Sequence, residues 1–247
     1  MARVVNLQIV TLFTLAAALL AVAAGASLMA RHYYLQRAEL RLNPANLEPF
    51  SGDNSALPAR SGPRIIFFGD SRVNGWTPRP ELAGVESIWR GIDGETTAQM
   101  KYRFDSDVVD LGPSAVVIEA GINDLIAGAA LRRLPQATAA AAENLATMAR
   151  KAVAAGANVH LMTVVRPGRP PLLRRIVWSD DIYDAVTDLN ARLHSLRIDG
   201  VTILDADMLL AGNGRELRRE YAADTLHFTP SAYQRLNRQL AAVLQGQ

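Results

Sequence analysis

The chain has 247 residues, with 26 Lys and Arg against 24 Asp and Glu, a net charge of +2 and no cysteine. The missing thiols exclude a disulfide framework, a Cys-ligated metal, a Cys nucleophile and a lipidated N-terminal Cys. Arginine far outnumbers lysine, but the near balance of charge and the lack of a basic helix interleaved with aromatics leave nucleic-acid binding without support.

Residues 4–30 carry no charge and 9–24 are almost wholly apolar. A signal-peptide core runs about 7–15 residues and a spanning helix needs about 20, so length favours a retained membrane anchor over residues 1–30. A cleaved signal stays open, because the stretch is Ala-rich and Ala24-Gly25-Ala26 resembles a small-residue cleavage site. Arg31, Arg37 and Arg41 follow the span and only Arg3 precedes it, which by the positive-inside bias would keep the remainder cytoplasmic. So short an N-terminal tail usually stays inside, however, and the expectation is an extracytoplasmic domain, secreted if the segment is cut.

Residues 31–62 read as a linker. Asn43-Pro44, Ser51-Gly52-Asp53-Asn54 and Ser61-Gly62-Pro63 are turn signals without sustained periodicity, although 33–42 could continue the helix. Residues 63–247 then form one domain of roughly 185 residues, large enough to bury a substantial core.

Within that domain, 64–68 is a short apolar run bounded by Gly69, the signal of a buried strand. Weaker strand character follows at 85–89, then a third strand at 115–120 ending at Gly121. An Ala-rich helix occupies 135–155 with Gly156 as its stop, and a fourth strand at 158–165 closes on Pro167-Gly168. A helix over 180–196, capped by Asp180 or Ser179, precedes a fifth strand at 201–204, and the last helix runs over 230–244. Strands alternating with helices imply βαβ units and a parallel sheet covered on both faces. Ligands of such sheets bind beyond the carboxyl ends of the strands. Gly69-Asp70-Ser71 follows the first strand, Gly91-Ile92-Asp93-Gly94 the second and Gly121-Ile122-Asn123-Asp124 the third, so these segments converge on one edge.

Ser71 is a poor nucleophile without a base. Of the four histidines, His32 adjoins the apolar segment, His160 lies inside the fourth strand and His194 sits mid-helix. His227 alone stands in a loop just after a carboxylate, with Asp224 three residues before it. That spacing lets Asp224 accept from Nδ1 and turn Nε2 toward a serine. Asn123 supplies a neutral amide that can point at an oxyanion, as can the backbone N–H groups of Gly94 and Ser71. Each block alone has an ordinary reading: a turn glycine at Gly94, a turn-forming Asn123, a helix cap at Asp224. No Gly-x-Ser-x-Gly elbow, Walker loop, His-Glu-x-x-His or Gly-x-Gly-x-x-Gly occurs.

In these four blocks the chain resembles the SGNH hydrolases, the GDSL lipase/esterase superfamily, over about residues 64–240. Gly69-Asp70-Ser71, the stretch from Gly91 to Thr97, Gly121-Ile122-Asn123-Asp124 and Asp224-Thr225-Leu226-His227 carry the match. The resemblance implies a flavodoxin-like three-layer α/β/α sandwich with a five-stranded parallel sheet, preceded here by the N-terminal hydrophobic helix. It places the family's name residues on Ser71, Gly94, Asn123 and His227, with Asp224 completing the triad. It implies a carboxyl-ester hydrolase working through an acyl-serine, with no metal and no organic cofactor.

Arg72 departs from the Leu or Ile usual after the serine. It is expected either to meet a hydroxylated or anionic substrate at the pocket lip or to pair along the rim with Asp70 or Asp124. Trp76 and Trp89 could stack on a sugar or pack in the core. The loop from Arg166 to Arg175 should lie at the same edge, as a solvated loop or as a contact for an anionic glycan or lipid headgroup. The expected substrate is an ester-bearing small molecule, an acylated glycan or a lipid, with deacetylation of an extracytoplasmic glycan preferred. The alternatives are a lipase or thioesterase-type acylhydrolase, acyl transfer to another acceptor, and a catalytically silent glycan-binding domain.

Overall fold

The structure, a computed structural model, describes residues 2–42, 50–57, 62–176 and 178–244. The chain divides into two units, Met1–Leu47 and Glu48–Gln247. The described residues of the first form one helix, α1 (Ala2–Leu42), within which Val10–Tyr34 is long and apolar enough to cross a membrane.

The second unit begins with the short helix α2 (Ser51–Ser55) and continues as β1 (Arg64–Gly69), α3 (Ser71–Asn74), β2 (Glu86–Gly91), α4 (Thr97–Asp107), β3 (Ala115–Glu119), α5 (Ile122–Ala130), α6 (Leu134–Ala154), β4 (Asn158–Met162), α7 (Asp181–His194), β5 (Val201–Leu204), α8 (Ala206–Leu210) and α9 (Pro230–Leu244). The five strands are all parallel, in the order β2-β1-β3-β4-β5. This is the α/β architecture expected from the alternation of elements.

Both faces of the sheet are buried, which is why β1 and β3 read as unbroken apolar runs. The pleat sends alternate side chains to opposite cores. Ile66, Phe68, Val116 and Ile118 pack with Met100, Phe104, Leu125, Leu145 and Leu189 from α4 to α7. Ile65, Phe67 and Val117 pack with Val73, Leu210, Tyr233, Leu236 and Leu240 from α3, α8 and α9.

Connections run outward from β1 to β2, then back across to β3. The order therefore reverses between β1 and β3, and the crevice opens beyond their carboxyl ends, at Gly69 and Glu119. α2 belongs to this unit through Asn54, whose Nδ2 donates to Ser106 O at 3.0 Å and to Asp107 Oδ1 at 3.1 Å.

One strand boundary and one pair of helices differ from expectation. β4 ends at Met162 rather than 165, because side chains replace its ladder: Asn190 bonds both the N–H and the carbonyl of Val164, and Arg72 takes the carbonyl of Val165. α4 and α5 were not expected at all. α4 has little apolar periodicity, yet it carries a legible start signal, a capping box in which Thr96 and Gln99 bond reciprocally.

Candidate active site

Ser71 is the first residue of α3, separated from β1 by Asp70 alone. Gly69 must be glycine here, since a Cβ would fall 2.2 Å from Glu119 O and 2.4 Å from Val73 Cγ2. Asp70 caps α3 by accepting from Arg72 N at 2.9 Å. The chain thereby turns sharply and leaves Ser71 half-buried, with its backbone N–H donating to no group among the described residues.

His227 comes from the loop before α9. Its Nε2 lies 3.1 Å from Ser71 Oγ, and its Nδ1 lies 2.7 Å from Asp224 Oδ2. The other oxygen of Asp224 accepts from the backbone N–H groups of Leu226, at 2.6 Å, and His227, at 2.8 Å. One carboxylate thus fixes both the ring and the loop that carries it. Burial pushes the Asp224 carboxyl up, but hydrogen bonds from the His227 ring and from the N–H groups of His227 and Leu226 outweigh it and hold the group at about 2. An imidazole held this way presents Nε2 as an acceptor to the serine hydroxyl.

Gly94 is exposed at φ +75°, in the left-handed region that glycine tolerates best, and its N–H donates to nothing among the described residues. The loop carrying it is anchored from below. Arg103, fully buried in α4, binds Glu95 at 2.6 Å and Asp107 at 3.1 Å and also donates to Gly69 O. Asp124, buried, accepts from both the N–H and the hydroxyl of Thr97 and so seats the start of α4. Asn123 is half-buried, and its Nδ2 donates to Glu95 O at 3.0 Å and to Asp70 Oδ2 at 3.2 Å. Ser71, Gly94, Asn123, Asp224 and His227 accordingly come from the three converging segments and the loop before α9.

Two expectations are corrected. Arg72 is not at the rim and meets no substrate-facing surface: it is 1 % exposed. Its guanidinium donates to Leu226 O, Glu119 Oε1 and Val165 O, and lies 4.6 Å over the Phe228 ring. Neither Asp70 nor Asp124 takes its guanidinium. Its charge is matched by Glu119, a carboxylate at the end of β3 that sequence reading passed over. Trp76, 1 % exposed, is likewise not a sugar platform, because Phe67, Trp89 and Tyr233 enclose its ring and Asn237 accepts from its Nε1. Trp89 stacks on Phe67 at 3.9 Å in the same core.

Burial and the neighbouring Glu119 push the Asp70 carboxyl well above the usual carboxylate range, against the pull of Arg72. Burial also raises Glu119, opposed by Arg72. A buried polar network therefore runs beneath the site from Arg72 through Glu119 and Asp70 to Asn123.

The loop after β4 does reach this edge. Gly168 N donates to Thr225 O at 2.8 Å, and Arg166 pairs with Asp207. A cavity of about 560 Å³ beside it is lined by Arg169, Glu216, Leu217, Arg219, Ala222 and Asp224. The remaining domain histidines lie elsewhere: His160 is buried within β4, and His194 pairs with Asp205.

Residues 67–235 match the model of the GDSL-like lipase/acylhydrolase family. Among solved structures, a GDSL-like lipase from Bacteroides thetaiotaomicron is 26% identical with a TM-score of 0.66, covering 82% of this chain and 98% of its own. An acylhydrolase candidate from Bacteroides fragilis is 24% identical, also at 0.66, with coverages of 82% and 97%. A variant of an acetyl-xylooligosaccharide esterase from Geobacillus stearothermophilus shares the fold at 20% identity and a TM-score of 0.51, covering 74% of this chain and 94% of its own. No curated protein matches the chain.

Proposed function

The chain belongs to the GDSL-like lipase/acylhydrolase family and is an ester-hydrolysing enzyme, and from that premise we propose that Ser71, His227 and Asp224 carry the reaction as nucleophile, base and orienting carboxylate. The observation that supports this most is the unbroken chain of contacts, 3.1 Å from Ser71 Oγ to Nε2 and 2.7 Å from Nδ1 to Asp224. His227 Nε2 takes the hydroxyl proton as Oγ attacks the ester carbonyl carbon. The tetrahedral oxyanion collapses, the C–O bond to the alcohol breaks, and the imidazolium returns its proton to the leaving oxygen. Water, deprotonated by the same nitrogen, then attacks the acyl-serine, releases the acid and restores Ser71.

The N–H groups of Ser71 and Gly94, which have no acceptor among the described residues, and the Asn123 amide form the oxyanion hole in this reading. Asn123 joins it by exchanging its longer contact, to Asp70, for the developing charge. Asn123→Ala should lower kcat by about 10²–10³-fold with a smaller change in KM, as steady-state kinetics on p-nitrophenyl acetate would measure.

The substrate proposed is an acylated, in particular acetylated, glycan or a small ester on the extracytoplasmic side. Residues 1–30 act as membrane anchor or cleaved signal, 31–62 as linker and 63–247 as the hydrolase domain. Arg72 no longer supports this substrate class, being buried. What supports it is the polar lining beside Asp224, with Arg169, Glu216 and Arg219, which suits a hydroxylated chain better than an acyl tail. A span at the N-terminus is consistent with an exported domain. Across a series of p-nitrophenyl esters, kcat/KM is expected to peak at acetate or propionate and fall with length. A maximum at long chains would replace the glycan reading with a lipase or thioesterase.

A further inference from the structure

We propose that Arg72 is a positioning residue that sets the register between the nucleophile and its base. The proposal rests on the triad reading above. Ser71 and His227 lie 156 positions apart and belong to separate elements, so something must hold their 3.1 Å contact. Arg72 follows Ser71 directly, and its side chain grips the residues on either side of His227. Its Nε donates to Leu226 O at 3.0 Å, and its guanidinium plane lies 4.6 Å over Phe228. The same group is pinned to the sheet by Glu119 Oε1 at 3.2 Å and Val165 O at 3.0 Å, which fixes it against β3 and the segment after β4. On the main chain, Arg72 O accepts from the Tyr233 hydroxyl of α9 at 2.8 Å.

The histidine loop has other attachments, but they lead elsewhere. Ala222 bridges Phe228, Thr229 N donates to Tyr221 O, and Gly168 N donates to Thr225 O. Among the described residues, Arg72 makes the one polar link between α3 and residues 224–228 apart from the Ser71–His227 contact itself. A planar, five-donor guanidinium suits this task, since it serves three acceptors in different directions and stacks at the same time. A leucine of the usual family type could fill the space but bond none of them. Misplacing reacting groups by about 1 Å costs on the order of 10²-fold in rate.

The test uses the full chain with Arg72→Leu, Arg72→Lys and the double variant Arg72→Met/Glu119→Gln, which leaves no unpaired buried carboxylate should the single variants fail to fold. Folded variants are expected to lose about 10²-fold in kcat on p-nitrophenyl acetate, with KM within about threefold, and Arg72→Lys to recover part of the loss. Rates of fluorophosphonate labelling should fall in parallel. Nitrogen NMR of the His227 ring provides a readout independent of turnover: the Nε2 shift that distinguishes the wild type from Ser71→Ala should disappear in the Arg72 variants. Retention of that shift together with kcat within threefold of wild type would overturn the proposal, as would a rise in KM at unchanged kcat, which would mark a substrate contact. If the wild type neither turns over esters nor labels, the triad reading fails, while the NMR comparison still decides the role of Arg72.

Discussion

Ser71→Ala should reduce kcat for ester hydrolysis by about 10⁶-fold and abolish labelling by a fluorophosphonate, leaving the fold unchanged. The magnitude follows from what the hydroxyl does: without it no acyl-enzyme forms, and the remaining oxyanion donors can only assist direct attack by water. The fold should survive because, among the described residues, Ser71 Oγ bonds only His227, while the turn around it is held by Asp70, Gly69 and Arg72. Circular dichroism and a thermal melt of the variant, run beside the kinetics, check both halves. Residual activity within tenfold of wild type would move the chemistry to another residue.

A second large effect is expected for Asp224→Asn, about 10⁴-fold in kcat. The substitution is nearly isosteric, and the amide oxygen can still accept from the N–H groups of Leu226 and His227. The amide nitrogen, however, would face Nδ1 and favour the tautomer with its proton on Nε2. His227 would then offer Ser71 a donor where the reaction needs an acceptor. Acid should not reproduce this effect by neutralising Asp224 until very low pH, because the hydrogen bonds from His227 and Leu226 keep the carboxyl at about 2. The sign for stability follows from the same depression: the carboxylate's contribution is present above the ordinary carboxylate pKa of about 3.9 and is lost as pH falls through about 2. Melting temperatures of wild type and Asp224→Asn, apart at pH 6, should converge as the pH approaches 2.

The residues proposed above for the chemistry stand out in the sequence as candidates. A serine after the first strand, a histidine three residues beyond an aspartate and an asparagine after the third strand have few other joint explanations, and the structure brings them to one edge. Strand positions were legible because strands buried on both faces must be apolar throughout, a local property. Less visible were α4, whose buried Thr97, Arg103 and Asp107 break the apolar period, and α5, a helix of only nine residues that starts directly at the Gly121 turn. The start of α4 could have been found from Thr96 and Gln99. Arg72 and Trp76 were misplaced for a different reason. An arginine beside a nucleophile looks like a substrate contact only while its own partners are unknown.

Those partners are Leu226, Glu119 and Val165, 154, 47 and 93 positions away. The order of residues alone determined the alternating elements and the crevice edge and offered the proposed reactive groups, since each depends on period, turn chemistry or short-range spacing. Only the tertiary structure decided which charges are buried and paired. Burial of an ionised group becomes tolerable when oppositely charged and hydrogen-bonding groups from distant segments close around it, and no stretch of chain near Arg72 contains that information.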